Sequence, residues 1–357
     1  MKLVRHVATF LIAAFVILFC IARFWPEAPY EPYQPDAAWL AQAENYPVPD
    51  MPADWRYDYF IAEDGTRLRW GETSNRETAK ATVVFVPGYT STLEMYGAHI
   101  PMLVERGYHV VGYDIRGQGG SDRHRPEHPE KLYVSDFSVY GNDLAAFMAM
   151  LQTAPNGPRV IMASSFGGAV ATRAVGDHDI AADALLLLAP AFSMNTGEYS
   201  PAQIKRLGAI ARLLGKDKDY ATGQQSWVPD RDDLSAPSPS CTPYPERAYL
   251  RDVIFARQPE LRVGGLTNNW VIEMIENGEI VTDTAYAQAV DMPITLIIPE
   301  SDVLVNSGAS IELCQTGFAD CQLVQITETE HCLTLDNDDV LNALWDETDK
   351  LLERVTP

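Results

Sequence analysis

The stretch from Pro158 to Val175, PRVIMASSFGGAVATRAV, leaves few folds open to this chain. It begins as a short apolar strand, Arg159-Val160-Ile161-Met162, and ends as an Ala-rich helix over Gly168 to Val175. Between them lies Ala163-Ser164-Ser165-Phe166-Gly167, an A-x-S-x-G form of the elbow that turns a strand sharply into a helix with a serine at its tip. The central residue of such a turn is held in a strained conformation. A bulkier neighbour at Ala163, Gly167 or Gly168 would strike the strand or the helix. Ser165 is the central serine. Placing Ser164 there would put Met162 and Phe166 at positions that must be small.

An elbow needs a sheet to stand on, and the flanking sequence supplies one. Thr82–Val86, His109–Ile115, Ala184–Leu188, Pro293–Ile298 and Gln322–Ile326 are apolar runs of the kind buried in a parallel sheet. Helical patterns alternate with them over Leu93–Arg106, Asp136–Thr153, Ser307–Thr316 and Asp338–Val355. Tyr57–Ile61 and Arg67–Glu72 alternate around Asp64-Gly65 and predict a hairpin. The order predicts an α/β fold with a mostly parallel, doubly wound sheet. The alternation stops at Pro190, and 191–291 reads as a helical cap inserted into the sheet domain, so that the core comprises 56–190 and 292–357. Residues 26–55 are Pro-rich and predict an extended linker, with a helical turn near Ala37–Ala43.

The N-terminus has its own character. Lys2 and Arg5 precede an uncharged run, Val7 to Ala22, near the lower limit of the roughly 17 to 25 residues that span a bilayer. Residues 1–25 are read as an uncleaved membrane anchor, with a signal peptide as the alternative. Basic residues before the run and Glu27, Glu31 and Asp36 after it predict an extracytoplasmic body, periplasmic if the source is bacterial. The rest is acidic: 27 basic against 49 acidic residues give 27 − 49 = −22, which argues against a nucleic-acid partner. An oxidising compartment would permit Cys314 and Cys321 to bridge the short loop they bracket. Cys241 and Cys332 could pair only if the fold brings them together. No C-x-x-C or His-rich cluster suggests a metal.

A serine hydroxyl needs a base to activate it, and the base needs an acid to hold its tautomer. On a sheet of this kind the chain order is serine, acid, histidine, each in a loop at the carboxyl end of a strand. Asp302 follows the strand ending at Ile298 and His331 follows the strand ending at Ile326, while His99, His109, His124, His128 and His178 all precede the acid. Glu300 is the rival acid. The oxyanion of an acyl-transfer intermediate needs two donors. The backbone N–H groups of Phe166, just after the serine, and of Tyr89, just after Pro87-Gly88, are in the expected places. Arg116 reads as structural. Phe192, Met194 and Trp270 could line an acyl pocket under the cap, but aromatics in a helical segment are more often core, so they are left out of the site, and Tyr96 is unassigned.

With these residues in hand, the chain resembles the α/β-hydrolases of the lysophospholipase and monoacylglycerol lipase group, bacterial lysophospholipases in particular. The resemblance is carried by VVFVPGYTSTLEMY, GYDIRGQGGSD, DFSVYGNDLAAFM, ASSFGGAVA, VGGLTNNW, IIPESDVLVN and EHCLTLD. It departs from the group at Pro87-Gly88, where His-Gly is usual, and at Ala163, where Gly usually opens the elbow. The resemblance implies a Ser165–His331–Asp302 triad, an oxyanion hole from Tyr89 and Phe166, and no cofactor. It also implies hydrolysis of single-chain lipid esters. A serine aminopeptidase and a non-catalytic, membrane-tethered binding protein are the alternatives. Nothing in the sequence indicates an oligomeric state.

Overall fold

The computed structural model describes residues 19–152, 154, 157–235 and 241–356. Eight strands form one sheet: β1 (Arg56–Ile61), β2 (Arg67–Glu72), β3 (Ala81–Val86), β4 (Tyr108–Tyr113), β5 (Arg159–Ser164), β6 (Ala184–Leu188), β7 (Ile294–Pro299) and β8 (Cys321–Ile326). Their spatial order is β1-β2-β4-β3-β5-β6-β7-β8. The β1–β2 hairpin is antiparallel and β2 joins β4 antiparallel, whereas every pairing from β4 to β8 is parallel. β3, β4, β6 and β7 are buried along their whole length, as continuous apolar strands covered on both faces must be. β5 sits between β3 and β6, so the elbow rises from the middle of the sheet.

The helices introduced in chain order are α1 (Ala37–Asn45), α2 (His99–Glu105), α3 (Ser138–Met150), α4 (Phe166–Asp177), α5 (Pro201–Leu213), α6 (Leu250–Arg257), α7 (Asn268–Val281) and α8 (Asp338–Val355), with shorter turns between them. α4 packs against α3 on one side and α7 on the other. The predicted helix over Leu93–Arg106 is two pieces, a 3-10 turn at Leu93–Tyr96 and then α2. Pro101 explains the break. A proline is tolerated in a first turn but clashes with the carbonyl four residues back, so no helix can run through it from Leu93. Gly97 fills the gap. A Cβ there would lie 2.6 Å from the Pro49 carbonyl oxygen.

The insertion between β6 and β7 is less helical than the sequence pattern suggests. Among the described residues, α5, α6 and α7 are joined by irregular chain, most of it in 214–235 and 241–244. Trp227 sits at its centre. Tyr33, Trp39 and Phe255 meet the indole edge-on, the Arg262 guanidinium stacks 4.4 Å above it, and its Nε1 donates to Asp252.

The Pro-rich stretch 26–55 packs on this insertion and on the loop between β4 and α3 rather than running free. Glu27 pairs with Arg125 and Lys131, Tyr30 donates to Glu130, and the Tyr46 hydroxyl donates to the Pro245 carbonyl. Its helical turn is the full nine-residue α1, capped by Asp36. The apolar run Val7–Ala22 falls mostly outside the described residues. Among those described, no helix is long and apolar enough to cross a membrane.

Candidate active site

β5 delivers Ser165 at the first residue past its end, with φ 51° and ψ −117°. Holding a non-glycine residue there costs on the order of 1–3 kcal/mol, so the surroundings must over-determine it. They do. The Ser165 N–H donates to the Leu188 carbonyl at 2.8 Å, and its own carbonyl accepts from Gly168 and Ala191, each at 2.9 Å. At about 0.5–1.5 kcal/mol per hydrogen bond, these three offset the strain. The small residues are enforced by their close neighbours. A Cβ on Gly167 would lie 2.3 Å from the Val86 carbonyl oxygen, and one on Gly168 would lie 2.7 Å from Pro190 Cβ. Ala163 is fully buried in the sheet, where its single methyl is accommodated.

The other two residues arrive from neighbouring loops. Asp302 follows β7 and His331 follows β8. His331 Nε2 is 2.9 Å from Ser165 Oγ, and His331 Nδ1 is 2.7 Å from Asp302 Oδ2. Asp302 Oδ1 accepts from the Leu304 and Val305 N–H groups at 2.9 Å each, which aims its other oxygen at the imidazole. The rival acid serves elsewhere, since Glu300 accepts from the Glu328 N–H and ties the β7 loop to the β8 loop. Burial pushes the pKa of His99, His109 and His124 down to about 4, and none of them lies beside Ser165. Ser165, His331 and Asp302 are thus brought together from separate strand ends, in the geometry of a nucleophile, its base and the group that orients the base.

Phe166 opens α4, so its N–H has no acceptor within the helix and is available to an anion at the helix terminus. Tyr89 follows β3 on the facing loop, and both residues line the cavity over Ser165. Gly88 brings this loop against the serine: a Cβ there would touch Ser165 Cβ at 3.4 Å, an ordinary contact distance. Gln118 braces the loop, accepting from the Thr90 N–H at 2.5 Å and donating to the Gly88 carbonyl at 3.3 Å. Nothing in the sequence marks Gln118 for this role beyond its place in the GYDIRGQGGSD segment. Arg116 has a structural role, forked onto buried Asp143 and reaching Asp64.

The cavity has a volume of about 380 Å³ and is walled chiefly by Met95, Tyr96, Phe166, Leu266, Trp270 and Met274. Met194 and Trp270 line it, as the sequence allowed. Phe192 is instead core, packed near Phe318. Two charged residues at the cavity, Arg251 and Asp230, carry no signal in sequence, since nothing in their spacing separates them from surface charge. The disulfides are Cys314–Cys321 and Cys241–Cys332, and the second joins the insertion to the residue after His331. Among the described residues, no cluster of His, Cys, Asp or Glu could hold a metal ion.

Sheet, elbow and inserted cap define an α/β-hydrolase. The chain belongs to the Hydrolase_4 family, described as serine aminopeptidase, S33, whose model matches residues 77–338. It is 32% identical over 239 residues to lysophospholipase L2 of Escherichia coli K12, covering 65% of this chain and 67% of that protein. Among solved structures it is similar to a soluble variant of monoglyceride lipase from Saccharomyces cerevisiae, with a TM-score of 0.65 at 18% identity. That match covers 88% of this chain and 98% of the lipase. A thermostable carboxyl esterase from Bacillus coagulans matches with a TM-score of 0.66 at 15% identity, covering 85% and 99%. The protein is a serine hydrolase of the lysophospholipase, monoglyceride lipase and esterase group.

Proposed function

We propose that this protein releases a fatty acid from single-chain lipid esters, lysophospholipids or monoacylglycerols, with Ser165 as nucleophile. Ser165 Oγ attacks the ester carbonyl while His331 Nε2 takes its proton. Asp302 holds the imidazole tautomer and stabilises its charged form. The developing oxyanion is held by the Phe166 and Tyr89 N–H groups. Collapse expels the glycerol-side alcohol, protonated by His331, and leaves an acyl-Ser165. Water, deprotonated by His331, then attacks this ester and releases the fatty acid.

The observation that carries the reading is the continuous contact line from Asp302 through His331 to Ser165 at the floor of an apolar cavity. An apolar cavity of this size suits an acyl chain. The similarity to lysophospholipase L2 supports the lipid class. A peptide with a free amine is the second candidate substrate, favoured by the family description and by one carboxylate at the cavity, Asp230.

We also propose that Val7–Ala22 anchors the chain with its body outside the cytoplasm. Two disulfides are in keeping with an oxidising compartment.

The test is a substrate panel on the purified protein: lysophosphatidylcholine, a monoacylglycerol, short p-nitrophenyl esters and aminoacyl amides. Fatty acid release from either lipid, abolished in Ser165→Ala, is expected. Turnover confined to the amides would replace this reading with the peptidase one. A folded protein that turns over nothing would point to a binding role.

A further inference from the structure

We propose that Arg251 and Asp230 form a head-group subsite for a zwitterionic lysophospholipid, Arg251 taking the phosphate and Asp230 the ammonium. The proposal rests on the ester-hydrolase reading and selects, within it, the phospholipid over the monoacylglycerol.

The cavity over Ser165 is walled mainly by apolar and aromatic side chains, where an unpaired charge is costly. Among its described lining residues Arg251 is the one permanent cation and Asp230 the one carboxylate. Arg251 lies on α6 of the insertion, with a quarter of its side chain exposed. Its Nε and Nη2 both donate to Asp252 Oδ1, at 3.1 and 2.9 Å. Asp252 is fully buried and also accepts from Trp227 Nε1 and from the Asp230 N–H. It therefore serves as a brace that fixes the guanidinium plane.

One buried carboxylate suffices to neutralise one buried guanidinium. Asp230 is a second, 2.7 Å from Nη2 and 54% exposed, so it is free to exchange partners. Among the described residues, Nη1 carries only a long contact, 3.4 Å, to Thr90 Oγ1.

The placement decides what these charges would meet. Thr90 directly follows Tyr89, whose N–H is proposed to hold the ester oxygen. In a lysophospholipid the phosphate is separated from the scissile ester by the glycerol unit, and the ammonium lies beyond the phosphate. An ester bound at the oxyanion loop with its acyl chain among Met95, Trp270 and Met274 turns the glycerol side toward the rest of the lining. There the phosphate can take Nη1 and Nη2 in the two-pronged manner a guanidinium favours. The ammonium then replaces Arg251 as the partner of Asp230. Each charge keeps a counter-charge through the exchange. A monoacylglycerol offers neither group.

The experiment measures kcat/KM for lysophosphatidylcholine, lysophosphatidic acid and monoacylglycerol of one acyl chain, in the full protein and in Arg251→Gln, Arg251→Lys and Asp230→Asn. In Arg251→Gln the ratio of lysophosphatidylcholine to monoacylglycerol should fall at least about tenfold, the size expected for loss of charge-assisted hydrogen bonds. The change should fall mainly in KM, and Arg251→Lys should restore part of it. In Asp230→Asn the ratio of lysophosphatidylcholine to lysophosphatidic acid should fall. This surface-side variant decides the matter if Arg251→Gln does not fold. Ratios unchanged within about twofold in both variants, with all lipids still cleaved, would overturn the subsite and leave the ester hydrolase standing. A native protein that cleaves none of the lipids would overturn both.

Discussion

The sheet and the cap are held together by different means. In the sheet, the site is positioned by backbone. Ser165 is fixed by the Leu188 carbonyl and the Gly168 and Ala191 N–H groups, Asp302 by two N–H groups of its own loop, and Gly167 abuts the Val86 carbonyl oxygen. In the cap and the N-terminal segment that crosses it, the contacts are between side chains far apart in sequence. Arg212 pairs with Glu273, Trp39 meets Trp227 edge-on, and Cys241 is bonded to Cys332. A backbone-built region constrains its residues by geometry and tolerates little change. A region built from side-chain pairs can lose one pair and relax. The chemistry therefore sits on the first and the substrate-facing wall on the second.

Substitutions should separate the two regions, and the largest effect belongs to the elbow. Ser165→Ala should lower ester turnover by about a thousandfold or more while leaving the circular dichroism spectrum and melting temperature near native. Asp302→Asn should come next, lowering kcat by about a thousandfold or more through the wrong imidazole tautomer. Glu300→Gln, two residues away, should cost only a few fold because Glu300 bonds a backbone N–H rather than His331. Comparable losses from the two substitutions would contradict the assignment of the acid.

Gly167→Val should prevent accumulation of soluble protein. Its side chain would begin inside the van der Waals shell of the Val86 carbonyl, and overpacking of this kind costs about 1–3 kcal/mol or more.

The cap side predicts smaller, graded effects. Cys241→Ser opens a bridge spanning 91 residues and frees the loop that holds His331. It should destabilise by about 2–5 kcal/mol in denaturant unfolding and lower kcat several fold. Cys314→Ser opens one spanning 7 residues and, by the chain-entropy argument, should cost less and leave kcat near native. Dithiothreitol should reproduce the Cys241→Ser loss in the native protein. If reduction leaves kcat unchanged, the bridge does not help to position His331.

The same contrast explains what could be read from the residues alone. The succession of strands along the chain, the elbow at Ser165 and the Asp302 and His331 loops follow from local pattern and chain order, because each depends on a few consecutive residues. Where local pattern misled, a single residue explains it. Pro101 splits the expected Leu93–Arg106 helix, a constraint that the apolar spacing around it concealed. The packing of 26–55 onto the insertion was illegible, since Pro-rich composition says nothing of a distant Trp227. Arg251 and Asp230 were invisible for the same reason: the nearness of Arg251 to Thr90 and to Asp230 is a tertiary fact. The Cys241–Cys332 pairing was conditional on the fold and is made by it.

The central claim, that Ser165 is an activated nucleophile, is tested most directly by a fluorophosphonate probe with the adduct mapped by mass spectrometry. One adduct on Ser165 is predicted, formed within minutes in the native protein, lost in Ser165→Ala and strongly slowed in His331→Ala. An adduct on Ser164, or none on a folded protein, would contradict it.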